Sequence, residues 1–344
     1  MEVNQTFQNI INLHLSESKK LNANVNDTNM KLPTLHWIPK LHKTPYKFRF
    51  IANSVSCTTK PISVYLTSAL SAVRNHIINY SKKVQENNNV NIFWSIRNSS
   101  EVVNKIANSN YKASHISTYD FSTLYTTLPH KLINDKLISL IELTFAREKC
   151  TYIALNTKTA FFTNQVLDKY TTWTCLDLCT ALTFLLDNLL IKINGKLFKQ
   201  IVGVPMGTNC APLIADLFLF CYERDFMLYL SKTKQIDLIQ NFNRTSRYID
   251  DILNLDNPYF ANYINSIYPK ELTLIKSNVS SADSSFLDLR LTINNNVLKT
   301  SLYDKRDDFN FDIVNFPYLD GNIPKRPSYG TYISQLVRFA RICS

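Results

Sequence analysis

Apolar residues recur along the chain at spacings that divide it into elements. Phe7, Ile10, Ile11 and Leu15 repeat at helical spacing within a polar, Asn-rich stretch over residues 1–30, which predicts one short helix. Residues 31–65, punctuated by Pro33, Pro39, Pro45 and Pro61, read as strands and loops. Leu66–Val84 reads as a helix and the Asn-rich patch at 87–91 as a loop. Glu101–Asn108 reads as a helix leading to a strand at His115–Tyr119. Residues 130–200 read mainly as helices, with a short two-stranded piece around Ile191–Lys199. Pro212–Leu230 is a long apolar helix, and strands are expected at Ser246–Leu255 and around Phe286–Ile293. The sequence contains no internal repeat.

Composition narrows the class. With 344 residues and 45% apolar content, the chain can bury a large core. The N-terminus has no basic n-region and no long apolar run, so no signal peptide is expected. The most apolar stretch, Leu182–Ile193, is broken by Asp187 and Asn188 and is too short to span a membrane. The 7 cysteines form no CxxC pair. Cys175 and Cys179 share a helical face, but no nearby His or Cys pair completes a zinc set, so reduced, intracellular thiols are expected.

Charge points to a partner. The formal net charge is +11, and Thr28 to Gln85 contains no Asp or Glu. The same stretch carries Lys31, Lys40, Lys43, Lys47, Arg49, Lys60, Arg74, Lys82 and Lys83. A one-sided basic block of this length suits a polyanion, with nucleic acid the default. The interleaved aromatics Trp37, Tyr46, Phe48 and Tyr65 would allow stacking on bases or sugars.

Candidate chemistry concentrates in Arg247-Tyr-Ile-Asp-Asp-Ile-Leu253. Asp250 and Asp251 lie between short β-branched and aromatic runs, a pattern that suits a tight hairpin. Two adjacent carboxylates repel, and a hard divalent ion such as Mg²⁺ would neutralise them. Asp307–Asp308, preceded by Lys305 and Arg306, reads instead as a locally balanced, solvated loop. Asp120, in Tyr119-Asp-Phe-Ser-Thr-Leu-Tyr125, ends a predicted strand. Alone it would be a helix N-cap. Together with the Asp pair it suits two-metal phosphoryl transfer, which draws carboxylates from neighbouring strands. Gly203-Val-Pro-Met-Gly207 uses two of the chain's 5 glycines in a turn entering a helix, permitting close approach of backbone to a ligand. Pro212 suits that helix's first turn.

These segments resemble motifs A, B and C of reverse transcriptases: Asp120-Phe-Ser-Thr-Leu-Tyr, Gly203-Val-Pro-Met-Gly-Thr-Asn-Cys-Ala-Pro-Leu and Tyr248-Ile-Asp-Asp. The finer similarity is to the Penelope-like retroelement group. It is carried by Pro39-Lys-Leu-His-Lys-Thr-Pro45 with Arg49, Phe286-Leu-Asp-Leu, Asn315-Phe-Pro-Tyr-Leu-Asp-Gly-Asn-Ile-Pro324 and Ser328-Tyr-Gly-Thr-Tyr-Ile-Ser-Gln-Leu-Val-Arg338, in the expected order.

The resemblance implies an α+β right-hand polymerase core of fingers and palm, with an antiparallel palm sheet and a truncated thumb. Residues 1–30 would be a polar extension and 31–115 the fingers. Residues 116–300 would form the palm, with a helical fingers segment at 130–200. Residues 301–344 would form the primer-grip region and the start of the thumb, with a primer-positioning hairpin at Tyr303–Phe311.

Asp120, Asp250 and Asp251 would be catalytic and would hold two Mg²⁺ ions, or Mn²⁺. Tyr125 would exclude a 2′-hydroxyl. Lys47 and Arg49 would meet the triphosphate, with Arg49 favoured for its bidentate grip. Met206 and Gly207 would line the nucleotide site, where many reverse transcriptases have Gln in place of Met206. Lys40 and Lys43 would hold template backbone, and Lys276 is a candidate for the general acid that protonates pyrophosphate, with a merely solvated lysine as the other reading.

The implied partners are an RNA template, a DNA primer, deoxynucleoside triphosphates and a separate or downstream endonuclease. The implied location of action is the nucleus. A non-catalytic nucleic-acid-binding remnant is the alternative. A palm-type RNA polymerase is disfavoured by Tyr125. A telomerase-type enzyme is disfavoured because the long RNA-binding N-terminal region it would require is not seen.

Overall fold

The computed structural model describes residues 1–3, 5–23, 30–41, 45–107, 112–313 and 318–342. Helix α1 (Phe7–Lys20) is capped by the Thr6 hydroxyl, which accepts from the Asn9 amide. A hairpin of β1 (Thr34–Lys40) and β2 (Lys47–Asn53) precedes α2 (Lys60–Asn88), α3 (Ser100–Ala107), β3 (Ile116–Ser122) and the single turn α4 (Leu124–Thr127). Helix α5 (His130–Glu148) leads to three short strands, β4 (Tyr152–Leu155), β5 (Ala160–Thr163) and β6 (Thr171–Thr174). Helix α6 (Cys175–Asp187) and the hairpin β7 (Leu190–Ile193) and β8 (Lys196–Lys199) follow. Then come α7 (Ala211–Lys232), α8 (Ile236–Phe242), β9 (Thr245–Tyr248), β10 (Asp251–Leu255), α9 (Phe260–Ile267) and β11 (Thr273–Lys276). The meander β12 (Asp283–Phe286), β13 (Leu289–Asn294) and β14 (Val297–Leu302), a 3₁₀ turn at Lys305–Asp308, and α10 (Lys325–Ile342) end the described chain.

The sheet that matters for the site is antiparallel, in the order β11-β3-β10-β9. Both of its faces are covered, and strand alternation sorts the side chains between two cores. Tyr119, Phe121 and Ile252 face the larger core, built on α2, α5, α6 and α7. Ile116, Leu253 and Leu255 face a smaller one shared with the β12–β14 meander. Helix α7 is apolar nearly all round, and most of its residues are buried, as befits a helix through the middle of a core.

Several elements differ from expectation. Helix α2 begins at Lys60, six residues before the predicted start, because Pro61 suits a first helical turn as well as a loop. The β4–β6 sheet falls where helices were expected; its strands span 4 residues each, too few to show a period of two. The strand around Phe286–Ile293 is broken by a turn at Leu287–Asp288 into β12 and β13. Tyr65, expected to stack on bases, is buried against Trp173. The N-terminal extension is docked: His14 on α1 bonds the Thr58 hydroxyl (2.6 Å) and Asn188 Oδ1 (3.3 Å).

Two surfaces stay open. In the β1–β2 hairpin, cross-strand register puts Lys40, Lys47, Ile38 and Arg49 on one face and Pro39, Phe48, Trp37 and Phe50 on the other. Helix α10 is tied down by an Arg338–Asp288 pair (3.0 Å) and by Thr300 donating to the Ile342 carbonyl. Tyr329, Tyr332, Ile333, Leu336 and Val337 form an exposed stripe along it. No described helix is long and apolar enough to cross a membrane. The described cysteines are free, and burial is the main cause that pushes the Cys179 thiol up to about 12.

Candidate active site

The Asp pair forms the tip of a hairpin. Tyr248 pairs with Asp251, leaving Ile249 and Asp250 as a two-residue turn. Ile249 takes φ +52°, a conformation that costs a β-branched residue energy and persists only where its surroundings impose it. On the neighbouring strand Asp120 stands opposite Asp251, and the Phe121 amide donates to the Asp250 carbonyl at 3.1 Å. Sheet register thus brings three carboxylates, from positions far apart in sequence, to one end of one sheet.

Their electrostatics show an excess of negative charge. Burial, then Asp250, then Asp120 push the Asp251 carboxyl up to about 7, with Lys305 opposing. Burial also raises Asp250, against its own backbone N–H and the nearby cations Lys40, Arg49 and Lys305. The donor set is right for a hard divalent cation in type and charge. Among the described residues, however, no three His, Cys, Asp or Glu side chains are already arranged to hold an ion. The carboxylates would have to reorient to converge on one.

Two cavities flank the carboxylates, and Asp120 lines both. One, of about 550 Å³, is lined by Lys40, Arg49, Tyr125, Met206, Gly207 and Asp250. The other, of about 570 Å³, is lined by Arg97, Tyr248, Asp251, Asp288, Tyr303 and Lys305. Most of the residues singled out from sequence therefore meet here. Lys47 does not line either cavity; it faces Lys40 at the far end of the β1–β2 hairpin. Lys276 on β11 is exposed beside Tyr119 and lines neither. Lys43 lies outside the described residues.

Tyr125 sits on the one-turn helix α4, which follows Thr123 at φ +59°. Burial, followed by Asp250, Asp216 and Tyr248, raises its hydroxyl to about 12, so it stays protonated at neutral pH.

The glycine turn packs closely against protein backbone, and Gly207 also lines the cavity. At Gly207 (φ +115°) an added Cβ would fall 2.2 Å from the Ala52 carbonyl oxygen on β2. At Gly203 (φ +84°) it would fall 2.5 Å from the Tyr125 carbonyl oxygen. Backbone bonds join the same segments: Ala52 N–H to Met206 O (2.8 Å), Val204 N–H to Tyr125 O (2.7 Å) and Gly203 N–H to Leu128 O (2.7 Å). The turn thereby ties β2, α4 and α7 around the smaller cavity.

Sequence reasoning missed the cations of the larger cavity. Asp307 and Asp308 are exposed, as expected of a solvated turn; Arg306 pairs with Asp304, and Lys305 also opposes the rise of the Asp250 and Asp251 carboxyls. Asp308 accepts from the Tyr303 hydroxyl, and the segment expected to form a hairpin is an exposed 3₁₀ turn. The turn Leu287–Asp288 repeats the geometry of Ile249–Asp250, an apolar residue at positive φ followed by Asp. The motif containing it was noted, but no role was assigned to Asp288.

No family model matches the sequence, and no curated protein matches it. Solved structures match the fold. Telomerase from Candida albicans, in complex with a TWJ fragment of telomeric RNA, aligns with a TM-score of 0.53 at 15% identity, over 90% of this chain and 55% of its own. Apo telomerase from Candida tropicalis aligns with a TM-score of 0.52 at 12% identity, over 90% and 56% respectively. This chain thus spans little more than half the length of the telomerases it matches, and what it shares with them is a mixed α/β fold with antiparallel sheets.

Proposed function

We propose that the chain is an RNA-directed DNA polymerase of a retroelement, of the Penelope-like kind its motifs resemble. The observation that carries this reading is the register of Asp120 against Asp251, with Asp250 at the adjoining turn and a cavity on either side. Asp120, Asp250 and Asp251 would hold the metal. Magnesium, if bound there, would supply Lewis-acid stabilisation of developing negative charge. The protein's own contribution is positioning and charge. In the smaller cavity, Arg49 and Lys40 bind the triphosphate, and Tyr125 closes the space where a ribose 2′-hydroxyl would lie. In the larger cavity, the cations Arg97 and Lys305 receive the phosphates at the primer end. The β1–β2 hairpin and its aromatic face receive the single-stranded template.

Primer extension on an RNA template tests this reading. Extension should require Mg²⁺ and deoxynucleotides and should disappear in Asp120→Asn and Asp250→Asn. The second reading is a nucleic-acid-binding chain that does not polymerise, which the basic stretch from Thr28 to Gln85 would serve equally well. Tight, salt-sensitive binding of primer–template by folded protein without any extension would select it.

A further inference from the structure

The catalytic hairpin rests on a buried ion network. Arg247, the residue before Tyr248, is wholly inaccessible to solvent. Its Nε and Nη2 donate to Glu223 Oε1 (2.5 Å) and Oε2 (3.1 Å) on α7. Nη1 donates to Asp216 Oδ1 (2.9 Å), and Nη2 to the Asp216 carbonyl (3.1 Å). Nη1 also reaches the carbonyl oxygen of Ile249, inside the turn itself, at 3.2 Å. Arg74 on α2 takes the other Asp216 oxygen (2.8 Å), and the Tyr268 hydroxyl donates to Glu223 (2.8 Å). Burial raises Glu223 against the pull of Arg247 and Tyr268, while Asp216, despite burial, is held low by Arg247 and Arg74. A guanidinium does not lose its proton in a protein, so the network stays ionic.

Stability alone does not call for such a network, because well-packed apolar residues commonly serve a core as well or better. Its geometry fits a positional task. Ile249 holds a backbone conformation that must be imposed from outside, and the guanidinium grips that residue's carbonyl while all three of its nitrogens are fixed by α7. Helix α7 follows the glycine turn of the nucleotide cavity, so one side chain links the hairpin to the wall opposite it.

We propose that Arg247 is a positioning residue: held by Glu223 and Asp216, it clamps the Ile249 carbonyl and so fixes the Asp250 carboxylate relative to Asp120. This rests on the polymerase reading of the site.

The double variant Arg247→Met/Glu223→Gln tests it. Asp216 keeps Arg74, Tyr268 keeps an acceptor, and the charges stay balanced. The expected result is an unchanged melting temperature, a kcat lowered at least about thirtyfold and a nucleotide KM changed less than about threefold, as for a misplaced reacting group. Amide hydrogen exchange should accelerate at residues 249–252 and Phe121 and nowhere else. Adding Ile249→Gly, for which positive φ carries no steric cost, should recover at least about fivefold of the lost kcat. Wild-type kcat with unchanged hairpin exchange overturns the clamp. So does a loss of kcat matched by a global loss of protection that Ile249→Gly does not reverse. If the double variant does not fold, Arg247→Lys is read by the same criteria, since an ammonium keeps the charge but cannot bridge Glu223, Asp216 and Ile249 together. If wild-type protein does not extend a primer, the polymerase reading fails, and hairpin exchange alone still decides the clamp.

Discussion

Tyr125 and Gly207 share a cavity but make different demands on it. Tyr125 contributes a neutral phenol to a wall that also holds Asp250, so its size matters more than its hydroxyl. Tyr125→Phe should leave sugar selectivity in place, whereas Tyr125→Val should admit ribonucleotides. Measured as the ratio of kcat/KM for deoxy- over ribonucleotide, the drop for Val should be at least about tenfold, a change near 1.4 kcal/mol; an unchanged ratio would remove the gate assignment. Gly207 has no such latitude. Its positive φ and the 2.2 Å approach of a Cβ to Ala52 O both exclude an L side chain. Gly207→Ala should cost about 2 kcal/mol or more, combining left-handed backbone strain with overpacking. Thermal unfolding reads that loss directly, and a neutral Gly207→Ala would mean the turn does not pack as described.

At the scale of elements, the β1–β2 hairpin brings two chemistries to the cavity beside Asp120 and Asp250: the cations Lys40 and Arg49 and the rings Phe48 and Phe50 all line it, while Trp37 lies outside that lining. Arg49→Lys keeps the charge but loses the planar fork, and should raise nucleotide KM about tenfold, the worth of one charge-assisted hydrogen bond. Steady-state kinetics with varied nucleotide checks this; an unaltered KM would mean Arg49 does not meet the triphosphate. The hairpin's basic face and the Asp250 turn were legible in sequence because each lies within a few consecutive residues. The ion network was not. Arg74 and Asp216 stand 142 positions apart and Arg247 and Glu223 stand 24 apart, so no local spacing joins them. The reach of Lys305 to Asp250 and Asp251 was hidden for a related reason: those carboxylates lie in another element, far from it in sequence. The β4–β6 strands were missed because four residues show no period, and the backbone contacts of the glycine turn were not legible because its partners, Ala52 and Tyr125, lie in other elements.

Across the whole molecule, charge and pH act separately. A net charge of +11, with an acid-free stretch from Thr28 to Gln85, predicts that nucleic-acid binding weakens at least about tenfold between about 50 and about 200 mM salt. A flat response would take the basic stretch out of the account. One component of the pH response belongs to His14, which joins α1 to the start of α2 and the end of α6 through Thr58 and Asn188, and the raised Asp251 carboxyl opposes it over the same range. Burial lowers its pKa from 6.5 to about 4, with the Asn188 bond opposing. The unfolded chain therefore binds a proton that the folded chain refuses between those values. His14's contribution is complete above about pH 6.5, is lost progressively as pH falls to about 4, and amounts to roughly 3 kcal/mol. His14→Gln should remove that component, making stability fall less, or rise, as pH drops from about 6.5 to about 4 in denaturant titrations; a slope identical to wild type would contradict it.

The central claim is that three carboxylates at the end of one sheet carry out templated DNA synthesis. Single-turnover addition of one deoxynucleotide to a primed RNA template in Mg²⁺ tests it most directly. The folded wild-type chain should extend the primer, and Asp250→Asn, with the same melting temperature, should be slower by at least about a thousandfold, the scale expected when a metal ligand is lost. No extension by folded wild-type protein, or extension by Asp250→Asn at the wild-type rate, would contradict it.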